Sequence, residues 1–354
     1  MAFQSIKKGL PDSCKCMDSV LLDNLVKNIV EGGRPTLPRG YLQFVRRETS
    51  RMFPKGWDTG YEGWCRRSSP PLKGCMEATR SCGGSLGNLR NVFSVASCGG
   101  RVVGDMSESI GQSEYIETVL HGRDFHRDLA PLCLEATLQV VQSAGKPRPL
   151  TSFSSDGFFL RPLHKTIYDQ LSKKKWLLRG DLTDSSLHEA GFRPDRGSLV
   201  SGDYSSATDN LSIEVMECAL EAMLENSAVV PPNIQQFAKN ACRPFLFRDR
   251  EEMFFGCDDG RDSSVGFLSK GQMMGSYLSF PFLCLQNYLA FRWAHRKLKR
   301  YVPVLINGDD ILFQSSQSEA ESWMDTVAGL GLEVERTKTS VSDTFGSLNS
   351  TLVE

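Results

Sequence analysis

The feature that most limits how this 354-residue chain can fold is a pair of adjacent carboxylates set inside an apolar hairpin. Val302-Pro303-Val304-Leu305-Ile306 and Ile311-Leu312-Phe313 are β-rich runs, and Asn307-Gly308-Asp309-Asp310 separates them with a strong Asn-Gly turn signal. Like charges about 4 Å apart repel unless a cation lies between them, so Asp309 and Asp310 need a neutralising partner or open water. The string alone is more often a solvated turn than a metal site. A second pair, Asp258-Asp259, has polar flanks and reads as a turn.

Other segments supply what a metal reading needs. Ser198-Leu199-Val200-Ser201-Gly202 is a short strand running into Asp203, followed by a small polar stretch and a helix for which Thr208 or Asp209 is a natural N-cap. That helix keeps apolar residues at helical spacing until Asn226 and Pro231-Pro232. With Asp203 beside the hairpin, three carboxylates offer hard oxygen ligands for two divalent ions, and Mg²⁺ suits such a set.

Elsewhere the spacing predicts helices over 21–30, 129–144 (closed by Gly145) and 319–330. It predicts strands at 245–247, 253–255 and 332–334 and a final extended piece over 345–353. Gly83-Gly84 and Cys98-Gly99-Gly100 read as turns. The apolar stretch from Tyr277 to Phe291 is too short to span a bilayer and reads as buried core.

A net charge of −1 argues against a nucleic-acid binder only until it is resolved along the chain. The charge is +7 through Val200 and −8 after it. Between Lys146 and Arg179, Lys146, Arg148, Arg161, Lys165, Lys173, Lys174, Lys175 and Arg179 face only Asp156 and Asp169. Such a segment can meet polyanions, although the three consecutive lysines also fit a solvated face. Eleven cysteines, none in CxxC spacing, and no secretory h-region suggest reduced thiols rather than disulfides or zinc.

Lys146-Pro147-Arg148, Ser201-Gly202-Asp203 with Asp209, Gly271-Gln272-Met273-Met274-Gly275-Ser276, Asn307-Gly308-Asp309-Asp310 and Lys338-Thr339 follow the order and spacing of polymerase motifs F, A, B, C and D. From about Gly145 to its end the chain resembles a viral RNA-dependent RNA polymerase. The strings SGDYSSATDNLS, GQMMGSYLSFPFLCLQN, INGDDILF and LRPLHKTIYDQLSKKKWLLRGD are most similar to the ourmia-like viruses, relatives of the narnaviruses and mitoviruses.

The resemblance implies that Asp203 and Asp309 bind two Mg²⁺ ions, with Mn²⁺ as a substitute and Asp310 as a weaker contributor. Asp209 would contact the ribose 2′-hydroxyl of the incoming NTP. Gly271, Gln272, Gly275 and Ser276 would form the loop that positions the templating base. Asn307 and Gly308 would belong to the substrate-binding turn. Lys146 and Arg148 would neutralise the triphosphate, and Lys338 would be the general acid for pyrophosphate. A picornavirus-like motif B would place an asparagine where this chain has Phe280; Ser279 and Asn287 are the substitutes considered for that sugar contact. Phe345 to Ser350 resembles motif E.

The expected fold is accordingly α+β, a right hand with an antiparallel palm backed by helices and basic fingers, the thumb largely absent because relatives continue past motif E. The expected divisions are 1–130, an extension of unclear structure; 131–197, fingers with motif F; and 198–354, palm, with a fingers excursion at about 231–270. The implied partners are an RNA template and product strand and NTPs, with no membrane span, in the host cytoplasm or, by analogy with mitoviruses, the mitochondrion. Two alternatives share the palm: a reverse transcriptase, disfavoured by Gly308 before the Asp pair and by Asp209, and an inactive RNA-binding remnant.

Overall fold

A computed structural model describes residues 14–89, 108–123, 128–143, 146–248 and 264–354. Helices α1 (Asp18–Ile29), α2 (Tyr41–Met52), α3 (Tyr61–Arg67) and α4 (Glu108–His121) precede strands β1 (Glu135–Ser143) and β2 (Lys146–Phe153). Next come α5 (Arg161–Leu171), α6 (Asp184–Ala190), β3 (Ser198–Gly202), α7 (Ile213–Leu224), α8 (Pro232–Asn240), β4 (Phe245–Phe247) and β5 (Ser264–Phe267). The last third holds α9 (Ser279–Ala294), β6 (Val304–Asn307), β7 (Asp310–Ser315), α10 (Gln317–Ala328), β8 (Ser340–Ser342), β9 (Gly346–Leu348) and β10 (Thr351–Val353). Helices accompany sheets that are antiparallel at every strand pair but β1–β4, an α+β composition.

Two compact units are built from interleaved segments. The first comprises Met1–Gly33, Cys65–Pro162 and Pro231–Tyr277; the second comprises Arg34–Trp64, Leu163–Val230 and Leu278–Glu354.

In the first unit the sheet order is β2-β1-β4-β5. Pro147 and Pro149 have no N–H to give a ladder, and they lie in β2, an edge strand, where that loss is tolerated. The helix expected over 129–144 is not formed. Leu134, Ala136 and Leu138 repeat with period two and are buried, while Thr137, Val140 and Val141 are β-branched, so the segment pairs with β2 instead of coiling. Gly145, its expected cap, lies outside the described residues. So do the Cys98-Gly99-Gly100 turn, the 253–255 strand and the Asp258-Asp259 pair. The Gly83-Gly84 turn is present, both residues having positive φ. Tyr115 stacks on Phe159 at 5.8 Å and its hydroxyl donates to the Phe158 carbonyl at 2.6 Å, anchoring α4.

In the second unit the sheet order is β6-β7-β3-β8. Its core against α10 is aromatic: Trp323, fully buried, meets the Phe313 ring at 4.9 Å. A separate cluster joins Leu178, Leu182 and Phe192 to Leu305, Leu312 and Leu348. The strand expected at 332–334 is reduced to an isolated bridge between Val334 and Tyr204, and the strand pairing with β3 on that side is β8. The helix after Asp203 begins later than expected. Ser212 caps α7 by accepting the Val215 N–H, while Thr208 and Asp209 lie in a short helical turn, Ala207–Asn210. The extended end is a hairpin, β9–β10, whose Asn349 and Ser350 have φ of 50° and 59°, the pattern of a type I′ turn. No helix among the described residues is long and apolar enough to cross a membrane.

Sequence spacing gave no reason to join residues 34–64 to this unit, yet long-range hydrogen bonds do so. Trp57 Nε1–H donates to the Met223 carbonyl, Gly56 N–H to the Asn226 carbonyl, and Asn226 Nδ2 to the Phe53 carbonyl, each at 2.8 Å. Asp58 is 0% exposed and accepts from the Ser227 hydroxyl at 2.5 Å and from the N–H groups of Ala228, Val229 and Val230 at 2.8–2.9 Å. Burial alone would push the Asp58 carboxyl up, but these hydrogen bonds outweigh it and hold the carboxyl below its ordinary value.

Replacing Asp58 by Ala removes the acceptor of three N–H groups, that of Val230 buried and those of Ala228 and Val229 partly so, and is expected to cost about 3 kcal/mol in urea unfolding. Because the folded-state pKa lies below the unfolded value of 3.8, the carboxylate's contribution is present above about pH 4 and is lost as pH falls through the folded value. The stability gap between the wild type and Asp58→Asn should therefore narrow between pH 7 and pH 3.

Candidate active site

The site is built on the sheet of the second unit. β3 lies between β7 and β8 with Gly202 opposite Ile311, so Asp203 emerges beside the turn that joins β6 to β7. Gly202 is required by space: a Cβ there would stand 2.6 Å from the Trp323 ring and 2.8 Å from Ile311. Asn307 pairs with Asp310, which leaves Gly308 and Asp309 as a two-residue loop. Within it only Gly308 has positive φ, 67°, the pattern of a type II′ turn rather than the I′ turn that Asn-Gly suggests. Asn307 thus belongs to the strand, and its Nδ2 donates to the Leu178 carbonyl at 3.3 Å.

The turn is braced from behind by α9. Asn287 Nδ2 donates to the carbonyls of Gly308 and Asp309 at 3.2 and 3.3 Å, and its Oδ1 accepts from the Tyr204 hydroxyl at 2.8 Å. The Gly308 N–H points to Cys284 Sγ at 3.3 Å; burial pushes that thiol up to about 12, which keeps it neutral. Asn287 is 0% exposed and bonded at both ends, so it is unsuited to a substrate sugar, and Ser279 is also buried. Of the two substitutes considered for that contact, Asn287 is thus committed to the turn, and Ser279 lies at the start of α9. The bracing role was missed in the sequence, where the only signal was Gln286-Asn287 inside an otherwise apolar helix.

Asp203 and Lys338 meet from opposite sides of β8's approach. Ser205 N–H donates to Glu333 O and Glu335 N–H to Asp203 O, both at 2.9 Å, lacing residues 333–335 onto 203–205. Lys338 N–H and Thr339 N–H then both return to Glu335 O, a tight turn that sets Lys338 Nζ 3.3 Å from Asp203 Oδ2. Burial raises the Asp309 carboxyl and the Asp203 charge raises it further, with Lys338 opposing. Asp310 is raised by burial and then by Asp309 and Asp203, and is partly relieved by the Asn349 N–H.

This charge pattern bears on metal binding. Among the described residues no group of three or more His, Cys, Asp or Glu is gathered tightly enough to cage an ion. A hard divalent cation needs fewer protein ligands, since one or two carboxylates can hold it with phosphate and water. Asp203 and Asp309 offer that pair with oxygen donors only, and their mutual repulsion is what such a cation would relieve.

The other expected residues are distributed as follows. Asp209 lies in the Ala207–Asn210 turn, its N–H donating to the Ser206 carbonyl at 3.0 Å; Ser206 has a φ of 47°. In the first unit, Lys146 and Arg148 are both exposed and, two residues apart, share a face of edge strand β2. The Gly271–Ser276 loop seats on that same strand: Thr151 Oγ1 donates to the Met274 carbonyl at 2.8 Å, and Gly275, with a φ of 105°, lies where a Cβ would be 3.3 Å from Thr151 O. Gln272 is buried.

Residues 136–346, more than half of the chain, match the family model described as Mitovirus RNA-dependent RNA polymerase. The chain is also 26% identical to a protein of Ourmia melon virus (isolate Melon/Iran/VE9) named RNA-dependent RNA polymerase, over 94% of this chain and 41% of that protein. It therefore spans about two fifths of the length of that curated relative.

Two variants test the site without an activity assay. Asn287→Leu leaves the Tyr204 hydroxyl and two turn carbonyls without their partner and should cost about 2–3 kcal/mol in chemical denaturation. Asp309→Asn should raise the Tm at pH 7 in metal-free buffer. Its folded-state pKa is raised, so the wild type is relatively more stable below the ordinary carboxylate pKa of 3.8 and loses that stability as pH rises through the folded value. The advantage of the variant should consequently vanish at low pH.

Proposed function

The chain belongs to the Mitovirus RNA-dependent RNA polymerase family, and from that membership we propose that it carries the nucleotidyl-transfer centre of a viral RNA polymerase. The observation that carries the reading is the convergence of Asp203, Asp309 and Lys338 where a strand end meets a braced turn. The second unit is the palm in this reading. The first, with its basic edge strand and glycine-rich loop, supplies the fingers.

In the proposed reaction the 3′-hydroxyl of an RNA strand gives up its proton to water and its oxygen attacks the α-phosphate of an NTP. A new P–O bond forms, the bond to the bridging oxygen breaks, and pyrophosphate leaves. Asp203 and Asp309 would hold the divalent cation, Mg²⁺ in this reading with Mn²⁺ able to take the same oxygen ligands, and Asp310 would contribute more weakly. When bound, the cation supplies positive charge to the transferring phosphoryl group and acidifies the hydroxyl it touches.

The protein's own groups do the rest. Lys338, held at Asp203 before substrate arrives, delivers its proton to the leaving pyrophosphate. Lys146 and Arg148 neutralise the triphosphate. Asp209 accepts the hydrogen bond of the ribose 2′-hydroxyl, which deoxyribose lacks. Gly271, Gln272, Gly275 and Ser276 position the nascent pair, and Asn307 and Gly308 carry the turn to it.

Primer extension on an RNA template tests this directly. Asp309→Ala should lower the rate about 10²- to 10³-fold, the range for loss of one preorganised electrostatic stabiliser. Arg148→Ala should act mainly on the KM for NTP, and Asp209→Ala should narrow the preference for NTP over dNTP. Undiminished extension by Asp309→Ala would refute the assignment, and a wild-type preference for dNTPs would indicate reverse transcription instead.

A further inference from the structure

The chemistry at Asp309 leaves unexplained a half-exposed group of rings and cations at the outer edge of the same sheet. The segment 176–178 runs beside β6: Ile306 N–H donates to the Trp176 carbonyl at 2.8 Å and Leu178 N–H to the Ile306 carbonyl at 2.9 Å. Asn307 Nδ2 closes on the Leu178 carbonyl. Arg179 is the next residue, so the chain delivers it alongside the Asn307-Gly308 end of the catalytic hairpin.

Its guanidinium lies 4.7 Å from the Tyr168 ring centroid, and the His164 ring is stacked on Tyr168 at 6.2 Å and 15°. Phe280 meets Tyr168 edge-on at 5.7 Å and stands 3.3 Å from where a Cβ on Gly308 would be. The rings therefore form a continuous path to the turn. Asp169 steadies it, facing Arg179 at 3.7 Å and accepting the Trp64 indole N–H at 2.8 Å.

A purely structural aromatic cluster would be buried, yet the Arg179 side chain is 53% exposed and Phe280 38% exposed. An apolar protein partner would not select this surface either, because Lys173, Lys174 and Lys175 follow α5 after Ser172 and Lys165 lies over the Trp64 ring at 5.9 Å. Stacked rings interleaved with cations suit a single polyanion with π-faces, and a guanidinium already lying on a ring presents its N–H edge to phosphate at little entropic cost.

We propose that His164, Tyr168 and Arg179 form a platform that grips an RNA strand beside the Asp309 turn, a base stacking on the rings and a phosphate on Arg179. This deepens the polymerase reading and rests on it.

The test is fluorescence anisotropy of a labelled single-stranded RNA and of a primer–template duplex, titrated with the full chain over a range of salt concentrations. Arg179→Ala should weaken RNA binding about 10-fold and reduce the slope of log K against log salt by about one. Tyr168→Ala should weaken binding by a similar factor of about 10 with the slope unchanged. Arg179→Lys should restore the slope but not the full affinity. RNA containing 4-thiouridine should crosslink to the peptide holding Tyr168, a readout independent of any effect of substitution on folding. Wild-type affinity and slope in both alanine variants, or crosslinks that avoid this peptide, would overturn the platform and leave the polymerase reading intact. A larger NTP KM with unchanged RNA affinity would also overturn it. A wild-type chain with no affinity for RNA at low salt would defeat the polymerase reading itself and the platform with it.

Discussion

Everything at the candidate site depends on holding two neighbouring carboxylates still at the tip of a hairpin while they repel one another and Asp203. Water could relax such a turn by letting it open. The chain prevents this from the rear with neutral groups, Asn287 gripping two turn carbonyls, Cys284 receiving the Gly308 N–H, and Tyr204 fixing the asparagine. Neutrality matters because any further charge there would either cancel the acidic pair or add to its repulsion. Geometry is thus fixed by hydrogen bonds, and charge is left for a cation to complete.

The hairpin was legible because two constraints coincide in a short window, continuous β-rich apolar runs and turn residues that only a tight loop accommodates. Strand β3 was legible for a similarly local reason, a short β-rich run ending at Asp203, and the burial of α9 was legible from its unbroken apolar stretch. Residues 129–144 were not, since Leu134, Ala136 and Leu138 satisfy a strand while the addition of Val141 mimics a helix, and the pairing with β2 that decides between them is set by partners across the turn. The strand order also placed β8 where a run at 332–334 looked more apolar. In the site, the acidic residues and Lys338 could be named from their motifs, whereas Asn287 could not. Its function arises from a contact 21 residues away, and a buried asparagine leaves no periodic trace. Asp58 is the extreme case, its partners lying about 170 residues further on.

The charge distribution gains a structural meaning. The positive segment between Lys146 and Arg179 is divided: Lys146 and Arg148 are on the edge strand of the first unit, and Arg179 and its lysines are on the second. Each unit therefore carries its own exposed cations, and under the proposed function the acidic residues are concentrated where a bound cation would reverse their sign. A net charge near zero is the sum of these separate local requirements and says little about either.

The contact between Gly202 and Trp323 has a consequence for how such a sequence can drift. Every amino-acid replacement at position 202 adds at least a Cβ, and that atom would collide with an indole that fills the core above the sheet. The same atom would also press on Ile311 of β7, so the clash falls next to Asp203 on both sides of the strand end. A smaller residue at 323 makes room, but opens a void under the sheet as long as 202 remains glycine. The two positions are therefore locked as a pair, and neither has an independent neutral path by which to change.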